Sequence, residues 1–345
     1  MLSPVIRVGV VGASGYAGAE LLRLCHSHPD LDVAWATGDT QAGTLVGGLY
    51  PSLAAAYPGL VFETFDPAMA AGVDLVFLAL PHGASQRLMP GLLGAGVKVV
   101  DLGADFRLRD PAVYERWYGE AHVATELLDR FAYGLPELNR DHIVKVDAVA
   151  SAGCYPTAAA LALAPLTAAG AIDTGQAIVV DAASGVSGAG RALKHGTHFG
   201  TANEDFTAYG LLDHRHTPEM EQSVGATLLF TPHLAPMTRG ILATCYARPA
   251  AGASPSTDGL LGLLARAYAG EPFVVVSPTS PSTKATWGSN AAHLSARYDE
   301  RTGWIVVLAA LDNLVKGASG QAVQCANLLL GLDETSGLSS IGVYP

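Results

Sequence analysis

The chain has 345 residues, half of them hydrophobic, and a formal net charge of −11. That length supports a large core and two domains rather than one, and an acidic chain with no run of Lys and Arg is not built to bind nucleic acid. Four scattered cysteines (Cys25, Cys154, Cys245, Cys325) without CxxC or zinc spacing exclude a disulfide framework and point to a reducing cytoplasm. The apolar stretches are interrupted by Pro, Gly or Thr before the ~18 residues of a membrane span. The opening "MLSPVIRVGVV" has no basic start, long apolar stretch or cleavage site of a signal peptide, so a soluble protein is expected.

In chain order, Val5–Val11 is a β-branched run that predicts a strand buried on both faces. Gly12, Gly15 and Gly18 follow at steps of three, and "AGAELLRLCHSH" then reads as an amphipathic helix. Glycines between a strand and a helix let the backbone turn tightly and approach a pyrophosphate at the helix N-terminus. The spacing from Gly9 is one residue longer than the usual GxGxxG, but its placement predicts a dinucleotide site rather than a plain turn. "VDLVFLALP" and "VKVVDLG" read as further buried strands, with "HGASQRLMPGLLGAG" a helix between them. Such alternation predicts a doubly wound parallel sheet of Rossmann type, with ligands at the C-terminal strand ends. "LPHGAS" and "DLGADFRL" are therefore placed to face cofactor or substrate, and His82 reads equally as a turn residue or a contact. After the second strand, Asp39 fits an NAD ribose, whereas Thr37, Thr40 and nearby N–H groups suit a phosphate; the residues leave both open.

"SAGCYPTAAALALAPL" sets Cys154 at the start of an uncharged, Ala- and Leu-rich helix. Pro156 is tolerated in a first turn, and the free N–H groups there would stabilise a thiolate. Cys154 also reads as a small core residue, and position alone does not separate the two. Beyond it, "QAIVVDAASGVSGAGRALK" is a strand entering a Gly/Ser loop, and "ATLLFTPHLAP" and "RGILATCYARP" read as neighbouring strands. "DGLLGLLARAYAG" is a helix, "PFVVVSP" and "GWIVVLAALDN" are further strands, and "GASGQAVQCANLLLGL" is a closing helix suited to the first domain. This half predicts an α+β domain with a mostly antiparallel sheet. In "DHRHTPEM", two histidines flank Arg215, and Glu219 follows as a carboxylate able to orient one of them. A solvated loop is the alternative, and a zinc site lacks a clear third ligand.

These motifs occur together and in order: a GxxGYxG turn, "DLGADFRL", "YGLPELNR", "AGCYPTA", "SGVSGAGR", "HRHTPE", "RGI" and "LDNLVKGASGQA". The sequence resembles the N-acetyl-gamma-glutamyl-phosphate reductases of arginine biosynthesis, within the aspartate-semialdehyde dehydrogenase-like superfamily. Tyr155-Pro156-Thr157 after the cysteine separates it from the related lysine-pathway reductases. The resemblance implies a dinucleotide-binding domain over 1–153 plus 316–345 and a catalytic and oligomerisation domain over 154–315. It implies Cys154 as nucleophile toward an acyl phosphate, a thioester intermediate, and reduction by NADPH. It makes His216 the acid/base, with Glu219 as its orienter, and gives Arg107, His214 and Arg239 to the substrate. The cofactor residues it implies are Gly12, Ser14, Gly15, Tyr16, Gly18, Thr37, Ser184, Ser187, Gly188 and Asn313, with Gly317 closing the same pocket. No metal is implied, and the assembly is a cytoplasmic homotetramer. Family members often carry Ser-Arg where this chain has Gly38-Asp39, so NADP rests on the resemblance and stands against Asp39. Two rivals remain: the same chemistry on aspartyl phosphate or a carrier-linked aminoadipyl phosphate, and a catalytically silent dinucleotide sensor that has no use for a nucleophile and base together.

Overall fold

The computed structural model describes residues 5–345. The chain divides into two compact units, Met1–Ala152 with Ala318–Leu338, and Gly153–Gly317 with Ser339–Pro345.

The first unit is built on seven strands: β1 (Ile6–Val11), β2 (Leu31–Thr37), β3 (Phe62–Glu63), β4 (Leu75–Leu78), β5 (Lys98–Asp101), β6 (Phe131–Gly134) and β7 (Ala148–Ser151). They form one sheet in the order β3-β2-β1-β4-β5-β7-β6, parallel throughout. Burial on both faces explains the unbroken apolar runs: all four residues of β4 and of β7 are buried. The strand order reverses between β1 and β4, the position at which doubly wound sheets open a crevice for ligands. The Tyr16–His26 helix leaves β1 there, burying Leu21, Leu22, Leu24 and Cys25. Its first turn holds no acidic residue and its last holds Arg23 and His26, leaving the positive end of the dipole unneutralised.

The second unit holds β8 (Ile178–Gly185), β9 (Thr207–Ala208), β10 (Leu228–Ala235), β11 (Ile241–Ala247), β12 (Val274–Val276), β13 (Ala292–Asp299) and β14 (Trp304–Leu311). Their order is β12-β13-β14-β11-β8-β10-β9, with β12–β13 and β8–β10 parallel and the other four pairs antiparallel. β10 and β11 are not the neighbours their sequence suggests, because β8 lies between them and pairs with both. Alternate residues of β8 and β11 are buried, so one face of this sheet is covered and the other partly open.

The cover is the Cys154–Ala168 helix, which packs against β11, β14 and the Thr217–Val224 and Thr257–Ala267 helices. It has no polar stripe because it is buried nearly all round. Pro165 lies within it and cannot donate to the Leu161 carbonyl four residues back. The Tyr268 hydroxyl donates to that carbonyl instead, at 2.6 Å. The sequence assigns everything after residue 315 to the first domain, but the tail Ser339–Pro345 belongs to the second unit. There the Asn290 N–H bonds the Ser339 carbonyl and the Val343 N–H bonds Trp287.

Candidate active site

The glycine turn of the first unit separates into three roles. Gly12 has φ +78°, and a Cβ there would sit 2.4 Å from the Ala79 carbonyl oxygen at the end of β4. Gly18 lies against the backbone of Ala13 and Gly12, where a Cβ would approach to 2.4 Å. Packing within the protein accounts for both. Gly15 is different: a Cβ would meet only the Gly12 carbonyl oxygen, at 3.6 Å. No protein atom requires glycine there, which matches a cradle left open for a pyrophosphate at the start of the Tyr16–His26 helix. Thr37 frames the turn, its Oγ1 accepting from Gly12 N–H at 3.4 Å and its carbonyl from Ala13 N–H at 2.8 Å. Ser14 Oγ donates to the Gly38 carbonyl at 3.2 Å, Tyr50 donates to the Ser14 carbonyl at 2.7 Å, and Tyr16 is part-exposed on the first helical turn. Gly38 is fixed by packing, since a Cβ there would lie 2.8 Å from Phe62 Cβ. Asp39 follows with φ 43°, exposed.

At the C-terminal ends of β4 and β5, Asp105 accepts four bonds: Gly83 N–H, Ser85 Oγ–H, Gln86 N–H and Tyr114 Oη–H, at 2.7, 2.9, 3.1 and 2.8 Å. This fully buried carboxylate shapes the "LPHGAS" loop, and His82 sits exposed on it, its ring 5.7 Å from Tyr118. Arg107 is also buried: its Nε donates to the Ser151 carbonyl at 2.8 Å and one terminal nitrogen to the Leu102 carbonyl at 2.7 Å. These bonds brace the ends of β5 and β7.

In the second unit, Cys154 is the first residue of its helix, with Gly153 in the N-cap position. Of the four free cysteines it alone is not fully buried. Burial pushes the Cys25 and Cys245 thiols up to about 12, so both stay protonated at neutral pH. Gly317 lies directly against Cys154: a Cβ there would be 2.8 Å from Cys154 Cβ. The backbone before the cysteine is pinned by Glu219, whose buried carboxylate accepts the Gly153 N–H at 2.8 Å. Expected from the sequence to orient His216, Glu219 thus ties the "HRHTPE" segment to the cysteine turn.

His216 sits immediately before the Thr217–Val224 helix and its ring stands among aromatic edges. His214 lies 4.9 Å away centroid to centroid and Tyr155 6.0 Å. Tyr155 is tethered by its hydroxyl to Tyr209 Oη at 3.1 Å and to the His233 carbonyl at 3.3 Å. Burial raises both phenols, Tyr209 to about 12, so neither carries charge at neutral pH. The sequence marks Tyr155 only as part of the signature after Cys154 and gives it no place in the site, and it does not mark Tyr209 at all.

The Gly/Ser loop after β8 is held by main-chain bonds from Val186 and Ser187 N–H to the Met237 and Thr238 carbonyls. Asn313 completes the clamp, donating to Ser187 Oγ at 2.9 Å and accepting Gly240 N–H at 2.7 Å. Gly188 is packed on Ser184 Oγ, 2.8 Å from where a Cβ would be. Arg239 is part-exposed and paired at 3.4 Å with the fully buried Asp312. Among the described residues no group of three or more His, Cys, Asp or Glu is arranged to hold a metal ion.

Two family models cover most of the chain: the semialdehyde dehydrogenase NAD binding domain matches residues 7–146 and the semialdehyde dehydrogenase dimerisation domain residues 154–313. Curated relatives named N-acetyl-gamma-glutamyl-phosphate reductase match end to end. That of Desulforudis audaxviator is 51% identical, covering 99% of this chain and 100% of its own. That of Symbiobacterium thermophilum is 48% identical, over 99% of each. The chain belongs to the N-acetyl-gamma-glutamyl-phosphate reductases. The fold of this reductase also matches solved aspartate semialdehyde dehydrogenases. One is the Vibrio cholerae enzyme complexed with ASA, at TM-score 0.71 and 18% identity over 95% of this chain and 99% of that one. Another is the Candida albicans enzyme with NADP, at TM-score 0.69 and 15% identity over 94% and 99%. At such identity the likeness is one of fold.

Proposed function

We propose that the chain reduces N-acetyl-L-glutamyl 5-phosphate to N-acetyl-L-glutamate 5-semialdehyde with NADPH, in L-arginine biosynthesis. The observation that carries this reading is the bond from Gly153 N–H to Glu219. It joins a half-buried cysteine at a helix start to the segment bearing His216, so a nucleophile and an acid/base group are held by one carboxylate. A helix start, with the positive end of the helix dipole, is the kind of position at which a cysteine nucleophile is set.

In this scheme Cys154 Sγ attacks the acyl carbon, the bond from that carbon to the phosphate oxygen breaks, and inorganic phosphate leaves, giving a thioester. NADPH, when bound, supplies the hydride that reduces the thioester carbonyl. His216 manages the proton on the resulting hemithioacetal oxygen, and collapse returns the Cys154 thiolate and the aldehyde. Gly12, Ser14, Gly15, Tyr16, Gly18 and Thr37 would hold the pyrophosphate end of NADP; for Ser184, Ser187, Gly188 and Asn313 a nicotinamide role rests on the family resemblance alone. The open space at Gly15 is the feature of this chain that fits such a group. Arg239, held through Asp312, is the better placed of the two arginines to meet a phosphate, since Arg107 donates to backbone carbonyls.

We further propose a cytoplasmic homotetramer. The partly open face of the second sheet, with Val179, Tyr246, Trp304 and Val306 along one groove, supports self-association, and four free thiols suit a reducing compartment. No helix among the described residues is long and apolar enough to cross a membrane.

The decisive experiment is phosphate-dependent oxidation of N-acetyl-glutamate semialdehyde with NADP, run beside aspartate semialdehyde, for the wild type and Cys154→Ser. Intact mass after acid quenching reads the acyl-enzyme. Turnover of the N-acetylated substrate with an acyl adduct on the wild type alone is expected. Preference for aspartate semialdehyde, or activity that survives in Cys154→Ser, would overturn the assignment.

A further inference from the structure

The ring of His214 is enclosed by edge contacts: Tyr155 at 5.6 Å and 88°, Phe230 at 5.2 Å and 90°, and Tyr209 at 5.6 Å and 66°. Gly210 also lies against the ring: a Cβ there would stand 3.2 Å from His214 Cδ2. One polar contact is defined. His214 Nδ1 accepts the backbone N–H of His216 at 3.2 Å, which requires a lone pair on Nδ1 and places the ring proton on Nε2. The His214 carbonyl accepts Thr217 N–H at 3.0 Å, so both ends of the residue fix the turn that carries His216. Side chains that bond the backbone two residues on are the usual work of Asn and Asp, and here an imidazole does it. The groups facing the ring are Tyr155, Tyr209 and His216, with Asp213 and Arg215 beside it in the chain. Burial, reinforced by Arg215, pushes the His214 imidazole down to about 4, so it stays a neutral acceptor through the physiological range.

We infer that His214 is a positioning residue for His216, acting through the His216 backbone and ring rather than on the substrate. The inference rests on the reductase chemistry proposed above. It replaces the substrate-binding role that the sequence resemblance implies for His214. His28 and His122 cap backbone N–H groups of Asp30 and Ala124 in the same way. At His214 the capped N–H belongs to the proposed acid/base itself, so an error in the turn becomes an error in where a proton is delivered. Proton transfer needs heavy atoms within hydrogen-bond reach, and displacement by an ångström costs on the order of 10²-fold in rate.

The test compares His214→Phe, which keeps the ring contacts and loses the acceptor, with His214→Asn, which restores an acceptor by the Asx geometry. The expected result for Phe is a kcat lower by on the order of 10²-fold with KM for the acyl phosphate changed by less than about twofold. The pH dependence of kcat should move, and Asn should recover most of the loss. A raised KM with kcat preserved in both variants would make His214 a substrate contact and overturn the inference. Equal losses in Phe and Asn with an unmoved pH profile would make it ordinary packing, with the same consequence. ¹⁵N-histidine NMR of the whole protein, reading the His216 tautomer and titration in wild type and His214→Phe, is independent of turnover. If the wild type reduced no N-acetylglutamyl phosphate, the proposed function would fail, while this titration would still decide the positioning role: an altered His216 supports it and an unaltered one ends it.

Discussion

At Gly317 a single absent carbon leaves room for the proposed nucleophile. A Cβ there would stand 2.8 Å from Cys154 Cβ and 3.2 Å from its Cα, with Leu311 Cδ1 equally close. Gly317→Ala is therefore expected to push the cysteine off its position and lower kcat on the order of 10²-fold, while iodoacetamide labelling still reaches Cys154. Wild-type turnover in this variant would show that the turn has slack. Asp101 poses a different problem. Its Oδ1 accepts Gly103 N–H at 2.7 Å, but Oδ2 is buried with no hydrogen-bond partner. Burial raises this carboxyl to about 7 against the pull of its Ser85 and Gly103 bonds. The folded chain thus holds the proton more tightly than the unfolded one, so the stabilisation is complete below about pH 4 and lost as pH rises through about 7. Asp101→Asn imitates the protonated form, and its Tm relative to wild type should climb between pH 4 and 8. A difference independent of pH would refute the raised titration.

Among the elements, the Cys154–Ala168 helix shows how a buried segment handles its own defect. Pro165 strips the Leu161 carbonyl of its helical donor and Tyr268 supplies another. Tyr268→Phe should destabilise the protein by about 1–3 kcal/mol in urea unfolding, the cost of a buried carbonyl left unbonded; a change near zero would mean that another donor moves in. The start of this helix was readable from Gly153, Cys154 and Pro156 together. The carboxylate that fixes it was not, because Glu219 lies 66 residues further on and only folding brings them together. Strand β13 carries a legible alternation: in "AHLSARYD" Ala, Leu, Ala and Tyr alternate with His, Ser, Arg and Asp. β6 (FAYG) and β7 (AVAS) are as short as β4 and β5, but Ala, Gly and Ser take the place of most of the β-branched and large apolar residues, so they carry no strand signal of their own.

For the whole molecule, the histidines whose charged form burial disfavours shape the response to acid, His293 among them. Burial lowers His28, His122 and His214, and each has Nδ1 accepting a backbone N–H that protonation would displace. Unfolded histidines take up protons below about 6.5, whereas these resist. Their contribution is present above that pH and lost as pH falls toward their lowered values, so Tm should drop between pH 6.5 and 5; an unchanged Tm would contradict the three caps acting together. Assembly is the other property of this scale. Val306→Asp, on the open face of the second sheet, should lower the mass measured by light scattering if that face pairs with a second copy. An unchanged mass would place the interface elsewhere.

The sequence by itself determined the parallel nucleotide-binding sheet, because strands buried on both faces must be apolar throughout and the glycine turn sits between strand and helix. It also pointed to Cys154 as the candidate nucleophile, but through the family motifs that surround it, since a place at the head of an uncharged helix suits a core thiol equally well. Only the tertiary structure decided which strands are neighbours, since β8 inserts between β10 and β11 and no periodicity encodes that order. It alone decided the partner of Glu219, the bracing bonds of Arg107 and the enclosure of His214. The division has one physical cause. Burial pattern and turn chemistry are properties of adjacent residues, whereas hydrogen bonds between distant side chains exist only after the chain has closed upon itself.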